Sequence, residues 1–170
     1  MINFFEEKCK QIPKNKRSFG LNDNEDGTPV YIIETDKETW QAEVINDRGN
    51  NGEGYDIIFI AIDKCVIHDH EFKGRGRCEG MLMTDRHLYL IELKDKKSLN
   101  AGEMLGQLVS TINFLKEFHP EQLKLFVHKK VFGCNHKKKG KFVVIDNEFK
   151  KSFQREHGFR IDMQTNIVVV

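Results

Sequence analysis

Residues 88–91, Leu-Tyr-Leu-Ile, form an apolar run without polar alternation, and it ends in Glu92-Leu93-Lys94. A strand with one face in water alternates polar and apolar side chains. A short run without alternation belongs to a strand covered on both faces in the middle of a sheet. A few residues on, Ala101, Leu105, Leu108, Ile112, Leu115 and Phe118 make an apolar stripe at helical spacing. This predicts a helix over 100–118, with Asn100 as N-cap, Glu103 reaching back in a capping box, and Pro120 as its stop.

The remaining elements are read around this pair. A short helix is predicted over 2–11, ending before Pro13, and a polar loop over 13–28. Strands are predicted over 30–35, 40–45 and 56–62, with Cys65 to His68 also extended, and again over 78–83 and 87–94. The segment 47–54 is the clearest loop. Strands over 123–132 and 141–145, a helix over 147–157 and a terminal strand over 159–170 follow. Interleaved strands and helices give an α/β chain, a central mixed sheet flanked by helices. A length of 170 residues makes one domain, 1–170, and 13 phenylalanines in a chain that is 39% hydrophobic supply its core.

Glu6 and Glu7 stand where a signal peptide needs an apolar core, and no run approaches the ~18 apolar residues of a membrane helix. The four cysteines (9, 65, 78 and 134) then read as thiols in a reducing compartment, and a cytoplasmic protein without a membrane partner is expected. The net charge of +1 hides a split: residues 1–70 carry a net −6 and residues 71–170 a net +7. An asymmetry of this size marks one basic side, a footprint of polyanion binding.

The period of two places Leu88, Leu90, Glu92 and Lys94 on one face of their strand. A carboxylate buried beside a central strand is costly unless a cation compensates it. With Glu79 on the preceding strand, Glu92 and Lys94 form an acid–acid–base cluster whose carboxylate and carbonyl oxygens suit Mg²⁺. Such a metal holds a scissile phosphate, lowers the pKa of a bound water and stabilises charge on the leaving oxygen. Acid-x-Lys alone is uninformative, since it also starts at Glu6, Glu71, Asp95 and Glu148. Only Glu92-Leu93-Lys94 ends an apolar strand, has an acid on the strand before it and leads into a long amphipathic helix.

In these residues the chain resembles the PD-(D/E)xK nuclease superfamily: an acid on one strand (Glu79), a strand ending in acid-x-Lys (Glu92-Leu93-Lys94), then a helix carrying a glutamine (Gln107). The resemblance covers about residues 56–118, and it departs from the family in having Glu rather than Asp at position 79. It implies a restriction-endonuclease-like core. It also implies Mg²⁺ ligation by Glu79, Glu92 and the Leu93 carbonyl, with Mn²⁺ able to substitute, Lys94 as the water-positioning base and Gln107 in support. The activity implied is phosphodiester hydrolysis in nucleic acid, DNA before RNA, and many nucleases of this fold act as homodimers. The alternative is a catalytically inactive nuclease-like module that binds nucleic acid or a protein partner.

Two basic stretches would hold the backbone: Lys73, Arg75 and Arg77, spaced by glycines, and a second cluster of Lys129, Lys130, Lys137, Lys138, Lys139 and Lys141. A further acid from the N-terminal helix, Glu6 or Glu7, would complete the site. Cys65, His68, His70 and Cys78 offer zinc-ligand atoms, but their spacing matches no structural zinc pattern, so zinc is not expected.

Overall fold

The computed structural model describes residues 1–48, 52–94, 101–135 and 145–170. In chain order the first strands are β1 (Lys10–Gln11), β2 (Ser18–Asn22), β3 (Tyr31–Ile33), β4 (Ala42–Ile45) and β5 (Ile58–Ala61). Then come β6 (Gly80–Met83), β7 (His87–Lys94), helices α1 (Ala101–Phe118) and α2 (Pro120–Leu123), and β8 (His128–Asn135). Helix α3 (Asn147–His157), β9 (Arg160–Met163) and β10 (Asn166–Val168) complete the described elements.

The strands make two mixed sheets. One has the order β1-β5-β6-β7-β8-β9, the other β10-β4-β2-β3. In the larger sheet β1, β5, β6 and β7 are antiparallel neighbours, whereas β7, β8 and β9 run parallel. A parallel neighbour cannot be reached by a tight turn. The chain leaves β7, passes through α1 and α2, and returns as β8.

This arrangement accounts for the unalternating run. Leu88 and Leu90 pack with Leu108, Ile112 and Leu115 of α1 and Phe153 of α3. Tyr89, Ile91 and Leu93 turn to the opposite face, against Phe19 and Leu21 of β2, Val44 of β4 and Ile167 of β10. Seven of the eight β7 residues are buried. The α/β class holds. Of the expected flanking, helices cover one face of the large sheet, and a second sheet covers the other.

Several local expectations change as well. The helix over 2–11 is a single 3-10 turn at Glu7–Cys9 followed by β1. Its helical propensity is overridden by long-range ties. Cys9 is bonded to Cys65, and the Gln11 side-chain amide donates to the Val30 carbonyl and accepts from the Ile32 N–H. The disulfide also corrects the reading of four thiols. Cys78 and Cys134 are free and buried, and the reducing compartment loses its cysteine argument.

The stretch 13–28 contains β2, whose Phe19 and Leu21 are fully buried. Gly20 between them is required by space, because a Cβ there would overlap the Trp40 ring. Residues 63–67 form a tight turn closed by an Asp63–Ile67 bridge instead of continuing extended. Leu123 ends a helical turn and the strand starts at His128. The terminal run 159–170 divides between the two sheets as β9 and β10. The predicted strand over 141–145 falls, apart from Ile145, outside the described residues, as does the Asn100 cap. Among the described residues no helix is long and apolar enough to cross a membrane.

Candidate active site

The β6–β7 pairing sets Gly80 opposite Ile91 and Met81 opposite Leu90. Continued outward by one residue, that register brings Glu79 beside Glu92, both on the α1 face. The Glu79 carbonyl accepts from the backbone N–H groups of Ile62 and Asp63 at 2.9 and 3.3 Å, so the end of β5 joins them. From above, the Thr111 hydroxyl of α1 accepts from the Cys78 N–H at 2.8 Å and donates to the Gln107 carbonyl at 2.9 Å. This tie fixes the first half of α1 over the hairpin.

The result is a cleft of about 460 Å³ at the C-terminal end of β7. Glu79, Glu92, Lys94 and Gln107 all line it, with Arg75, Arg77, Asp63 and Asp69 along one wall. Gly76 lets the Gln107 side chain lie against the backbone, since a Cβ there would overlap Gln107 Oε1.

Glu92 is only 2% exposed. One of its oxygens accepts from Lys94 Nζ at 3.0 Å. The other, Oε2, is buried without a hydrogen-bond partner, as is Gln107 Oε1. Burial pushes the Glu92 carboxyl up to about 7 against the pull of Lys94. Glu79 is pushed up to about 8, by burial first and then by Glu92, Asp23 and Asp63. Burial works against the Lys94 ammonium, but pairing with Glu92 and the fields of Glu103 and Glu79 hold its pKa above the usual value. The cleft therefore concentrates acceptor oxygens and negative charge around one lysine.

That donor set fits a hard cation. Two adjacent carboxylates and an amide oxygen are the ligand types Mg²⁺ takes, the remaining positions being filled by water and substrate. Two of these oxygens are buried with nothing donating to them, which costs stability unless a cation or donor arrives. Among the described residues, no three or more His, Cys, Asp or Glu side chains converge as a metal-holding group. For the zinc-ligand set, Cys65 is committed to its disulfide, and burial pushes the Cys78 thiol well above its usual range.

The glycine-spaced basic loop is placed at the cleft, with its arginines already engaged. Arg77 donates from Nε to Asp63 at 2.7 Å and from Nη2 to Asp69 at 3.0 Å. Arg75 pairs with Glu117 at 2.9 Å and stacks on the Phe114 ring at 3.6 Å. Lys73 is exposed and does not line the cleft. Lys137, Lys138, Lys139 and Lys141 lie outside the described residues. Glu6 and Glu7 pair with Lys8 and Lys10 away from the cleft. The additional acids at the cleft are Asp63 and Asp69, neither among the residues expected from sequence. Asp63 carries a signal all the same, because it closes the apolar run Ile60-Ala61-Ile62 as Glu92 closes 88–91.

Comparison with protein-family models, with curated proteins and with solved structures returned no match.

Proposed function

We propose that this cleft is the active site of a metal-dependent nuclease of the PD-(D/E)xK kind, acting on DNA in preference to RNA. The observation that carries the reading is the convergence of Glu79, Glu92, Lys94 and Gln107 on one cleft, with a buried Glu92 oxygen facing no donor. The succession of three antiparallel strands (β5, β6, β7), a covering helix (α1) and a strand parallel to the third (β8) supports a restriction-endonuclease-like core.

Glu79, Glu92 and the Leu93 carbonyl would hold Mg²⁺ or Mn²⁺, which when bound supplies an acidified water and charge stabilisation on the phosphate. The chain's own residues do the positioning. Lys94, protonated at neutral pH because its pairing raises its pKa, acts as a hydrogen-bond donor that orients the attacking water. It also places positive charge where the phosphorane develops negative charge. Glu92 fixes the ammonium at 3.0 Å. Gln107 presents its amide from the helix above, with the backbone of Gly76 lying against it. A homodimer would place two such clefts on opposite strands of a duplex.

The test is cleavage of single-stranded, duplex and branched DNA, and of RNA, with Mg²⁺ or Mn²⁺. Glu92→Gln and Lys94→Ala should each lose about 10²-fold or more of the rate while the melting temperature shows the fold retained. Cleavage surviving both substitutions removes the proposed site. A second reading, a catalytically inactive module that binds nucleic acid or a protein partner, is favoured by one observation: the first acid of the site is Glu79 in place of the family's Asp. Salt-sensitive binding without metal-dependent cleavage selects it.

A further inference from the structure

The nuclease reading leaves one concentration of positive charge unused. On α3, the rings of Phe149, Phe153 and His157 pack in succession at tilted angles, and Phe153 enters the core. That orientation leaves Lys150, Lys151 and Gln154 exposed. Beside them β9 is the outer strand of the large sheet, and its Arg160 lies directly opposite Lys130 of β8. Like charges side by side on neighbouring strands destabilise a sheet by a few tenths of a kcal/mol or more. A contact of Lys130 Nζ with the Tyr89 ring, 5.5 Å to its centroid, offsets part of this cost, and no ion pair among the described residues offsets the rest.

The surface here is concave. Two adjoining hollows, of about 140 and about 320 Å³, share Lys130, Gln154 and Arg160 as a common wall. Lys150 and Lys151 line the larger one, with Asp162 as its carboxylate, and Lys129 lines the smaller. Lys130, Lys150, Lys151 and Arg160 form no ion pair with any described carboxylate. Lys94, Arg75 and Arg77 at the cleft are all paired.

We infer that this groove binds the sugar–phosphate backbone of a nucleic acid, holding the stretch that flanks the bond presented to the cleft. The choice of ligand rests on the nuclease reading. Along β8, Lys130 stands five residues before Asn135, which pairs with Lys94. At strand spacing that is roughly 17 Å, and β9 lies about 5 Å farther out. Lys130 and Arg160 project from the sheet face opposite Lys94, Lys130 lying over the Tyr89 ring, so a nucleic acid engaging both places passes over the β9 edge beside α3 and spans more than about five base steps at 3.4 Å each. The groove does not touch the scissile phosphate and acts on binding, not on the chemical step.

The test compares the wild type with a Lys150→Ala, Lys151→Ala, Arg160→Ala triple variant. Binding to labelled 20-base-pair DNA and RNA duplexes is read by fluorescence anisotropy in chelator, across a salt series. Affinity should fall about tenfold or more, and the salt slope should shrink by about 0.9 for each phosphate that the variant no longer neutralises. With Mn²⁺ present, KM for the long DNA duplex should rise at unchanged kcat, while hydrolysis of bis(p-nitrophenyl) phosphate, which reaches only the cleft, stays at the wild-type rate. The DNA and RNA arms decide which backbone the groove prefers. Unchanged affinity and slope on both, or no salt-dependent binding by the wild type, overturns the groove. If no form hydrolyses either substrate but the variant still loses affinity and slope, the nuclease reading falls and the groove stands. Should the triple variant melt early, Lys150→Gln with Lys151→Gln, both on exposed helix positions, gives the same readout.

Discussion

At Glu92 and Glu79 two carboxyls share a space that favours only one negative charge. Folding holds Glu79 at about 8 and Glu92 at about 7, against about 4.5 for both in an open chain. A carboxyl raised in this way binds protons more tightly in the folded state. Its contribution to stability is therefore largest below about pH 4.5, declines as pH rises, and levels off above the folded value. In chelator, the melting temperature should decline between about pH 5 and pH 8.5. Glu79→Gln should flatten that decline, raising the melting temperature by several degrees at the alkaline end and little at the acid end, at roughly 2–4 °C per kcal/mol for a chain this size. A thermal-shift series across that range reads the difference. An unaltered slope in the variant would mean that burial does not raise the Glu79 carboxyl in the folded state.

The β6–β7 hairpin is the element that makes the cleft, and its tightest point is Gly80. A Cβ there would overlap the Phe59 ring and stand 2.9 Å from the Ile60 carbonyl oxygen, neither of which can swing aside. Gly80→Ala should cost about 1–3 kcal/mol by overpacking, measured by urea denaturation, and a loss under about 0.5 kcal/mol would show that β5 yields. The hairpin, α1 and α3 were legible in the sequence because each carries its period within one stretch. Glu79, Glu92 and Lys94 were legible for the same reason, being fixed by a period of two and an antiparallel register. The elements that escaped depend on distant residues. β1 is held by Cys65, Val30 and Ile32, and β2 shows only Phe19 and Leu21 among polar neighbours until Trp40 covers Gly20. Asp63 joins the cleft because Glu79 of the next strand receives its N–H, a relation no local pattern displays.

Over the whole molecule, the large sheet is shared by two hydrophobic layers, one under the helices and one against the second sheet. The Cys9–Cys65 bond ties the N-terminal turn to the segment leading into the cleft wall and closes a separation of 56 residues. A cross-link of that span restricts the unfolded chain by about 4 kcal/mol. Reduction, or Cys9→Ser with Cys65→Ser, should lower the melting temperature by about 10 °C; a melting curve indifferent to reductant would show the sulfurs unbonded.

The division of the terminal run between β9 and β10 has a consequence for how the molecule is made. Asn166 completes the smaller sheet beside Glu43, and pairings this remote in sequence form slowly because a long loop must close first. A ribosome delivers the strands in order. Until residue 168 has emerged, the smaller sheet lacks β10, and the face carrying Phe59, Tyr89 and Phe132 lacks Ile167 and Val169. From the synthesis of Phe132 to that of Val169 the nascent chain carries that incompletely covered aromatic face, a natural handhold for chaperones, and the arrival of β10 closes it by sealing both sheets together.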